Sequence, residues 1–134
     1  MRHAQCSCGQ LKAECKGEPF RVSTCHCLVC QRRTGSVLGV QVRYRADQVT
    51  VTGAWATYSR MSETGRTATY KFCSNCGNTV VWENEGLPGI IALPVGAFAD
   101  PTFPTPWVSL FESRRAAWLT LVDDGIEHFE LGAT

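Results

Sequence analysis

The chain has 134 residues, with 13 Lys and Arg against 12 Asp and Glu and a formal net charge of +1. That size suits one domain, residues 1–134, and offers no basic cluster of the kind nucleic acid or an anionic membrane surface requires. The start, Met-Arg-His-Ala-Gln-Cys, is not an apolar leader, and no apolar stretch approaches membrane-spanning length, so a cytoplasmic protein with reduced thiols is expected.

From Gln10 to Cys15 the apolar residues alternate (Leu11, Ala13, Cys15). After the turn at Gly17-Glu18-Pro19 they alternate again at Phe20 and Val22, which predicts a hairpin running into Cys25. Leu28 to Arg33 has few strand formers and reads as a helical turn ended by Gly35. Alternation returns over Val37 to Tyr44 and Asp47 marks a turn. Val49 to Thr52, Ala54 to Arg60, Arg66 to Phe72 and Thr79 to Trp82 are further strand segments, broken at Gly53, Ser62 to Gly65, and Cys73 to Asn78. Ile90 to Val95 is a short apolar run between Gly89 and Gly96, the pattern of a buried strand. Pro101, Pro104 and Pro106 exclude a helix there, and Trp107 to Glu112 and Trp118 to Val122 are late apolar segments before a turn at Asp123-Asp124-Gly125. The expected fold is mainly β, small antiparallel sheets with few short helices.

Eight cysteines, seven of them in two short pairs and a triplet, indicate metal rather than disulfides in a reducing compartment. Cys25, Cys27 and Cys30 lie so close in sequence that one ion can gather all three thiolates with a local bend. Three ligands leave one tetrahedral position for water or a substrate thiol, which distinguishes a catalytic zinc from a closed structural one. Cys6 with Cys8 and Cys73 with Cys76 both end in Cys-Gly, and a glycine after the last ligand accepts the positive φ of a tight metal turn. These four are assigned to one closed structural zinc and the triplet to a second, open one, two zinc ions per chain. A competing assignment joins Cys27 and Cys30 to Cys73 and Cys76 as a zinc ribbon, stranding Cys6, Cys8 and Cys25.

The motifs Cys6-Ser7-Cys8-Gly9, Cys25-His26-Cys27-Leu28-Val29-Cys30-Gln31-Arg32-Arg33-Thr34-Gly35-Ser36 and Phe72-Cys73-Ser74-Asn75-Cys76-Gly77 resemble, in order and separation, the glutathione-dependent formaldehyde-activating enzyme (GFA) family. The likeness is to its short single-domain members. It implies a zinc-bound β-tent, a structural zinc on the two outer pairs and a catalytic zinc on Cys25, Cys27 and Cys30. It also implies carbon-sulfur lyase chemistry that joins glutathione to formaldehyde as S-(hydroxymethyl)glutathione. A thiol held as its thiolate suits addition to an aldehyde carbon and the reverse release. The expected partners are a small thiol such as glutathione and an aldehyde, with room for a homodimer. The alternative is a non-catalytic zinc-binding β module that binds a protein or small thiol.

Arg32 and Arg33 directly follow the triplet and suit the carboxylates of glutathione, against a plainer reading as solvated or charge-offsetting residues. His26, in the middle of Cys-x-Cys, is expected to point away from the metal, and Cys15 to be a packing residue. Nothing in the spacing favours His3 or His128. Asp123, Asp124 and Glu127 read as a solvated acidic turn. Trp55, Trp82, Trp107 and Trp118 read as core or rim, with Trp107 a candidate to line a pocket.

Overall fold

Period-two alternation places the strands, and glycine and proline end them. The computed structural model describes residues 1–62, 65–122 and 125–132. The strands of the first half are β1 (Arg2–Gln5), β2 (Lys12–Cys15), β3 (Arg21–Cys25), β4 (Gly39–Arg45), β5 (Val49–Thr52) and β6 (Trp55–Met61), with an α-helix, α1 (Leu28–Thr34), the one α-helix among the described residues, between β3 and β4. There follow β7 (Thr67–Cys73), β8 (Thr79–Asn84), β9 (Ile90–Pro94), β10 (Val108–Leu110) and β11 (Glu127–His128), with 3-10 turns at Ala46–Gln48, Val95–Phe98 and Glu112–Arg114. The protein is mainly β, as expected. None of its described helices is long and apolar enough to cross a membrane.

The chain forms two compact units. The first comprises Met1–Phe20 and Val42–Phe103. In it β2 pairs antiparallel with both β1 and β5, and β9, β8, β7 and β6 follow one another in a second antiparallel sheet. The apolar positions Leu11, Ala13, Cys15 and Tyr44, in segments read from alternation, are fully enclosed, as are Val80 on β8 and Leu93 in the run from Ile90 expected to be buried. Burying side chains of that size supplies roughly 1.5–3 kcal/mol each for the larger ones, the main term holding these sheets together.

The second unit comprises Arg21–Gln41 and the chain from Pro104 onward. Here β3 pairs in parallel with β10, with Ser23 opposite Val108, Thr24 opposite Ser109 and Cys25 opposite Leu110. β10 also pairs in parallel with β11. This corrects the expected hairpin, because β2 takes β1 and β5 as partners while β3 takes a strand from the far end of the chain. Phe20, read as inward, is exposed. Trp118 to Val122 forms no strand and leaves both end residues exposed. The turn expected at Asp123-Asp124 lies outside the described residues.

Helix α1 starts on Cys27, whose Sγ accepts from the Cys30 backbone N–H at 3.3 Å. It stops at Gly35, where φ is +72° and the N–H returns to the Gln31 carbonyl. The helix runs one residue past the Leu28 to Arg33 turn read from the sequence and ends at Gly35 as expected, because the stop is local.

Candidate functional site

Two groups of cysteine sulfurs converge, one in each unit. Cys6, Cys8, Cys73 and Cys76 lie with all four Sγ atoms within 4.8 Å of one another. The Sγ atoms of Cys6 and Cys8 are 3.7 Å apart, and those of Cys8 and Cys73 3.5 Å. Four thiolates about 2.3 Å from a tetrahedral zinc have edges of ~3.8 Å, so this donor set fits that ion in both chemistry and size.

Each half of the group is a tight turn. The Gly9 N–H donates to the Cys6 carbonyl at 3.1 Å and the Gly77 N–H to the Cys73 carbonyl at 2.8 Å. Gly9 and Gly77 have φ of +79° and +85°, the conformation expected of them. Backbone N–H groups turn toward sulfur as well: Leu11 donates to Cys6 at 3.3 Å, and Asn75 and Cys76 to Cys73 at 3.3 and 3.4 Å. The Asn78 side-chain oxygen accepts from the Ser7 backbone N–H at 2.7 Å and from its hydroxyl, tying the two turns together. Backbone N–H groups of Asn78 and Cys8 draw the Cys76 thiol down to about 6, so this sulfur favours its ligand form.

Cys25, Cys27 and Cys30 form the second group, again with every Sγ within 4.8 Å of the others. Cys25 ends β3, Cys27 caps α1 and Cys30 lies in its first turn, so a strand end and a helix start bring three sulfurs together. Cys25 and Cys30 are buried and Cys27 is half-buried. Hydrogen bonds from Cys25 and Cys30 hold the Cys27 thiol well below its ordinary range, and the same bond to Cys27, with burial, holds Cys25 far above it. Three sulfurs sharing protons this way form a ready cation site. Among the described residues no fourth Cys, His, Asp or Glu donor joins them. The ribbon assignment is not what the chain forms, since Cys27 and Cys30 group with Cys25 and not with Cys73 and Cys76.

Arg32 is exposed, whereas Arg33 is half-buried and turned toward the triplet. A Cβ built on Gly39 would stand 3.1 Å from Arg33 Nη2 and 3.3 Å from Cys30 Cβ, so the bare glycine leaves room for the guanidinium beside the cluster. Its charge acts on the Cys30 thiol. Gln41, buried, places Oε1 3.9 Å from Cys30 Sγ.

His26 is fully enclosed and outside both sulfur groups. Its backbone N–H donates to the Leu110 carbonyl at 3.0 Å, and its carbonyl accepts from Gln31 Nε2 at 2.9 Å. Its Nε2 lies 3.1 Å from Ser109 Oγ, and Ser109 in turn hydrogen-bonds Glu112, which pairs with His128. An ionised carboxylate only accepts, so the Ser109 proton goes to Glu112 and the Ser109 oxygen accepts from His26 Nε2–H. Burial keeps His26 below its ordinary pKa and hence neutral. Its Nδ1 is then a bare acceptor, buried, with no donor among the described residues. Sequence reasoning passed over Gln41, Ser109 and Glu112 and found nothing to favour His128, because no spacing links them to the triplet. Cys15, on β2 in the first unit, packs in the core, where burial pushes its thiol up to about 12. Trp107 is 40% exposed, and its backbone joins Val22 and Glu127. A shallow hollow of about 430 Å³ near Thr67, Glu83 and Pro88 includes no cysteine of either group.

Comparison with known proteins agrees with this geometry. No curated protein matches the chain. A solved structure of a Rhodobacter sphaeroides protein, a structural-genomics target, superimposes with a TM-score of 0.58 at 22% identity, covering 74% of this chain and 91% of that one, and so shares the fold. The family model described as glutathione-dependent formaldehyde-activating enzyme matches residues 1–114, which include all seven cysteines of the two groups. The chain therefore belongs to the glutathione-dependent formaldehyde-activating enzyme family.

Proposed function

We propose that this protein is a zinc-dependent carbon-sulfur lyase that makes or breaks the adduct between a small thiol, glutathione, and an aldehyde such as formaldehyde. The observation that carries the reading is the inequality of the two groups: four sulfurs in one, three in the other with a half-buried member. In this reading Cys6, Cys8, Cys73 and Cys76 hold a structural zinc, and Cys25, Cys27 and Cys30 hold the catalytic one. Zinc at the triplet supplies a coordination position that lowers the pKa of an incoming thiol. The chain's own residues bind and orient that thiol. Arg33, beside Cys30, takes a carboxylate, with charge-assisted contacts of about 1.5–3 kcal/mol where desolvated. The exposed Arg32 adds only a salt-screened attraction. The Gln41 carboxamide offers a neutral polar contact at the Cys30 side.

A lyase of this kind accelerates exchange among glutathione, formaldehyde and their hemithioacetal in both directions. Magnetisation transfer at equilibrium measures that rate against the uncatalysed background. The excess should be present in the wild type and absent in Cys27→Ser. A wild-type rate equal to the variant's, with glutathione and two other small thiols tried, removes the formaldehyde lyase reading and favours the binding module.

A further inference from the structure

Strand β6 has an open edge. Its one neighbour among the described strands is β7, and the two run antiparallel, with Trp55 opposite Cys73, Tyr58 opposite Tyr70 and Met61 opposite Thr67 and no shift of register. Sheet edges are commonly protected by lysine, proline, a bulge or a very short strand. β6 runs for seven residues, Trp-Ala-Thr-Tyr-Ser-Arg-Met, and has none of these. It also holds large apolar side chains in water: Trp55 is 41% exposed, Tyr58 62% and Met61 67%.

Hydrogen bonds at the end of the strand fix which of its backbone groups face outward. The Ser62 N–H donates to the Arg66 carbonyl at 2.8 Å, so this pair turns its backbone groups toward each other. By the alternation of an antiparallel ladder, Arg60, Tyr58 and Ala56 then turn theirs toward β7 as well. The Thr67 carbonyl accepts from the Glu85 N–H at 3.0 Å on the β8 side, which agrees with that phase and leaves Met61, opposite Thr67, turned out. The N–H and C=O groups of Trp55, Thr57, Ser59 and Met61 therefore point away from β7.

A strand of this kind can pair with its own copy about a two-fold axis. Centring the axis on Tyr58 sets Trp55 opposite Met61 of the second copy, Thr57 opposite its Ser59, and the two Tyr58 residues opposite each other. Every outward residue then meets an outward residue. A slip of one residue would set outward groups against inward ones, and a slip of two would leave an end residue without a partner. The side chains fit the same register. The exposed apolar groups cover one another, indole against thioether and phenol against phenol, and the tyrosines occupy the non-hydrogen-bonded position, where opposed side chains come closest. Arg60, the one charged residue of β6, lies opposite Ala56 of the second copy. The two Arg60 positions are then four residues, about 13 Å, apart along the strands, beyond the screening length of ~8 Å at physiological salt. A parallel pairing in register would set the two arginines side by side.

We propose that the β6 edge is the interface of a homodimer, in which a second copy adds its own β6 antiparallel with Tyr58 on the two-fold axis. The inference is independent of the thiol-binding reading above.

The test is sedimentation analysis of the full-length, zinc-loaded protein over a range of concentrations. The wild type should be a reversible dimer. Tyr58→Lys and Tyr58→Glu each place like charges directly opposite at the axis, and each should raise the dissociation constant by about tenfold or more. The side chain is exposed in a single copy, so both variants should stay folded. An equimolar mixture of the two should recover the dimer, because lysine then faces glutamate across the axis. Thr57→Pro removes an N–H that points away from β7 and should yield a folded monomer. A wild type that is monomeric at every concentration overturns the proposal. So does a dimer that persists in Tyr58→Lys and Tyr58→Glu, which would place the interface elsewhere. A mixture of the two charged variants that stays monomeric overturns the pairing centred on Tyr58.

Discussion

The imidazole of His26 has one hydrogen bond and no exposure, and Ser109 makes that bond. Removing the Ser109 hydroxyl would leave Nε2–H as unsatisfied as Nδ1 already is and would take a donor from Glu112. An unmet buried donor costs about 1–3 kcal/mol, so Ser109→Ala should be destabilised by that amount in chemical denaturation. His26 lies between Cys25 and Cys27, and, in the proposed two-zinc reading, the same variant should release the triplet zinc more readily to a chelator than the four-sulfur one. Equal release of both zincs would mean that the bond serves general stability and does not hold the triplet turn.

At the scale of elements, the second unit is assembled from short pieces. β10 has three residues and β11 two, too few for ladder hydrogen bonds alone to hold them. Side chains add the missing ties: Gln31 Nε2 on α1 donates to the carbonyls of His26 and Arg114, and Glu112 pairs with His128 on β11. Burial alone would raise the Glu112 carboxyl, but hydrogen bonds from His128 and Ser109 outweigh it and hold the group below the usual carboxylate range. A group depressed on folding stabilises the fold above its unfolded pKa and loses that contribution as pH falls through the folded one. The Glu112 contribution is therefore present at neutral pH and is lost in acid, below about pH 4. Melting temperatures of wild type and Glu112→Gln from pH 7 to pH 3 should differ at the neutral end and converge at the acid end. The difference isolates Glu112, since protonation of thiolates releases metal from both proteins alike. A constant gap across the range would exclude the Glu112 charge as its source.

For the whole molecule, the two sulfur groups should differ in what their loss does. The four-sulfur group joins Cys6 and Cys8, ahead of β2, to Cys73 at the end of β7, and closes a long loop of the first unit. Structural zinc binding is folding free energy of roughly 10 kcal/mol or more. Cys73→Ser should therefore fail to fold or melt far below the wild type. Cys27→Ser, whose group is drawn from six consecutive residues of one local turn, should stay folded with one zinc by elemental analysis. Comparable melting of the two variants would count against the division.

Much of the site was legible in the chain order. The turns at Cys6 to Gly9 and at Cys73 to Gly77, the helix from Leu28 to Gly35 and the convergence of Cys25, Cys27 and Cys30 all form between near neighbours in sequence, where spacing and a positive-φ glycine decide the conformation. Alternation also identified the inward face of β2. It says which face of a strand is apolar, however, and not which strand lies beside it. Only the tertiary structure set β3 against β10 in parallel instead of in a hairpin with β2, since partner choice is settled by long-range packing summed over the molecule. From that one pairing follow the burial of His26 against Ser109 and the enclosure of Ser23 and Cys25 beside Val108 and Leu110. Neither is written in the spacing of these residues, because each depends on what the distant end of the chain brings to the strand.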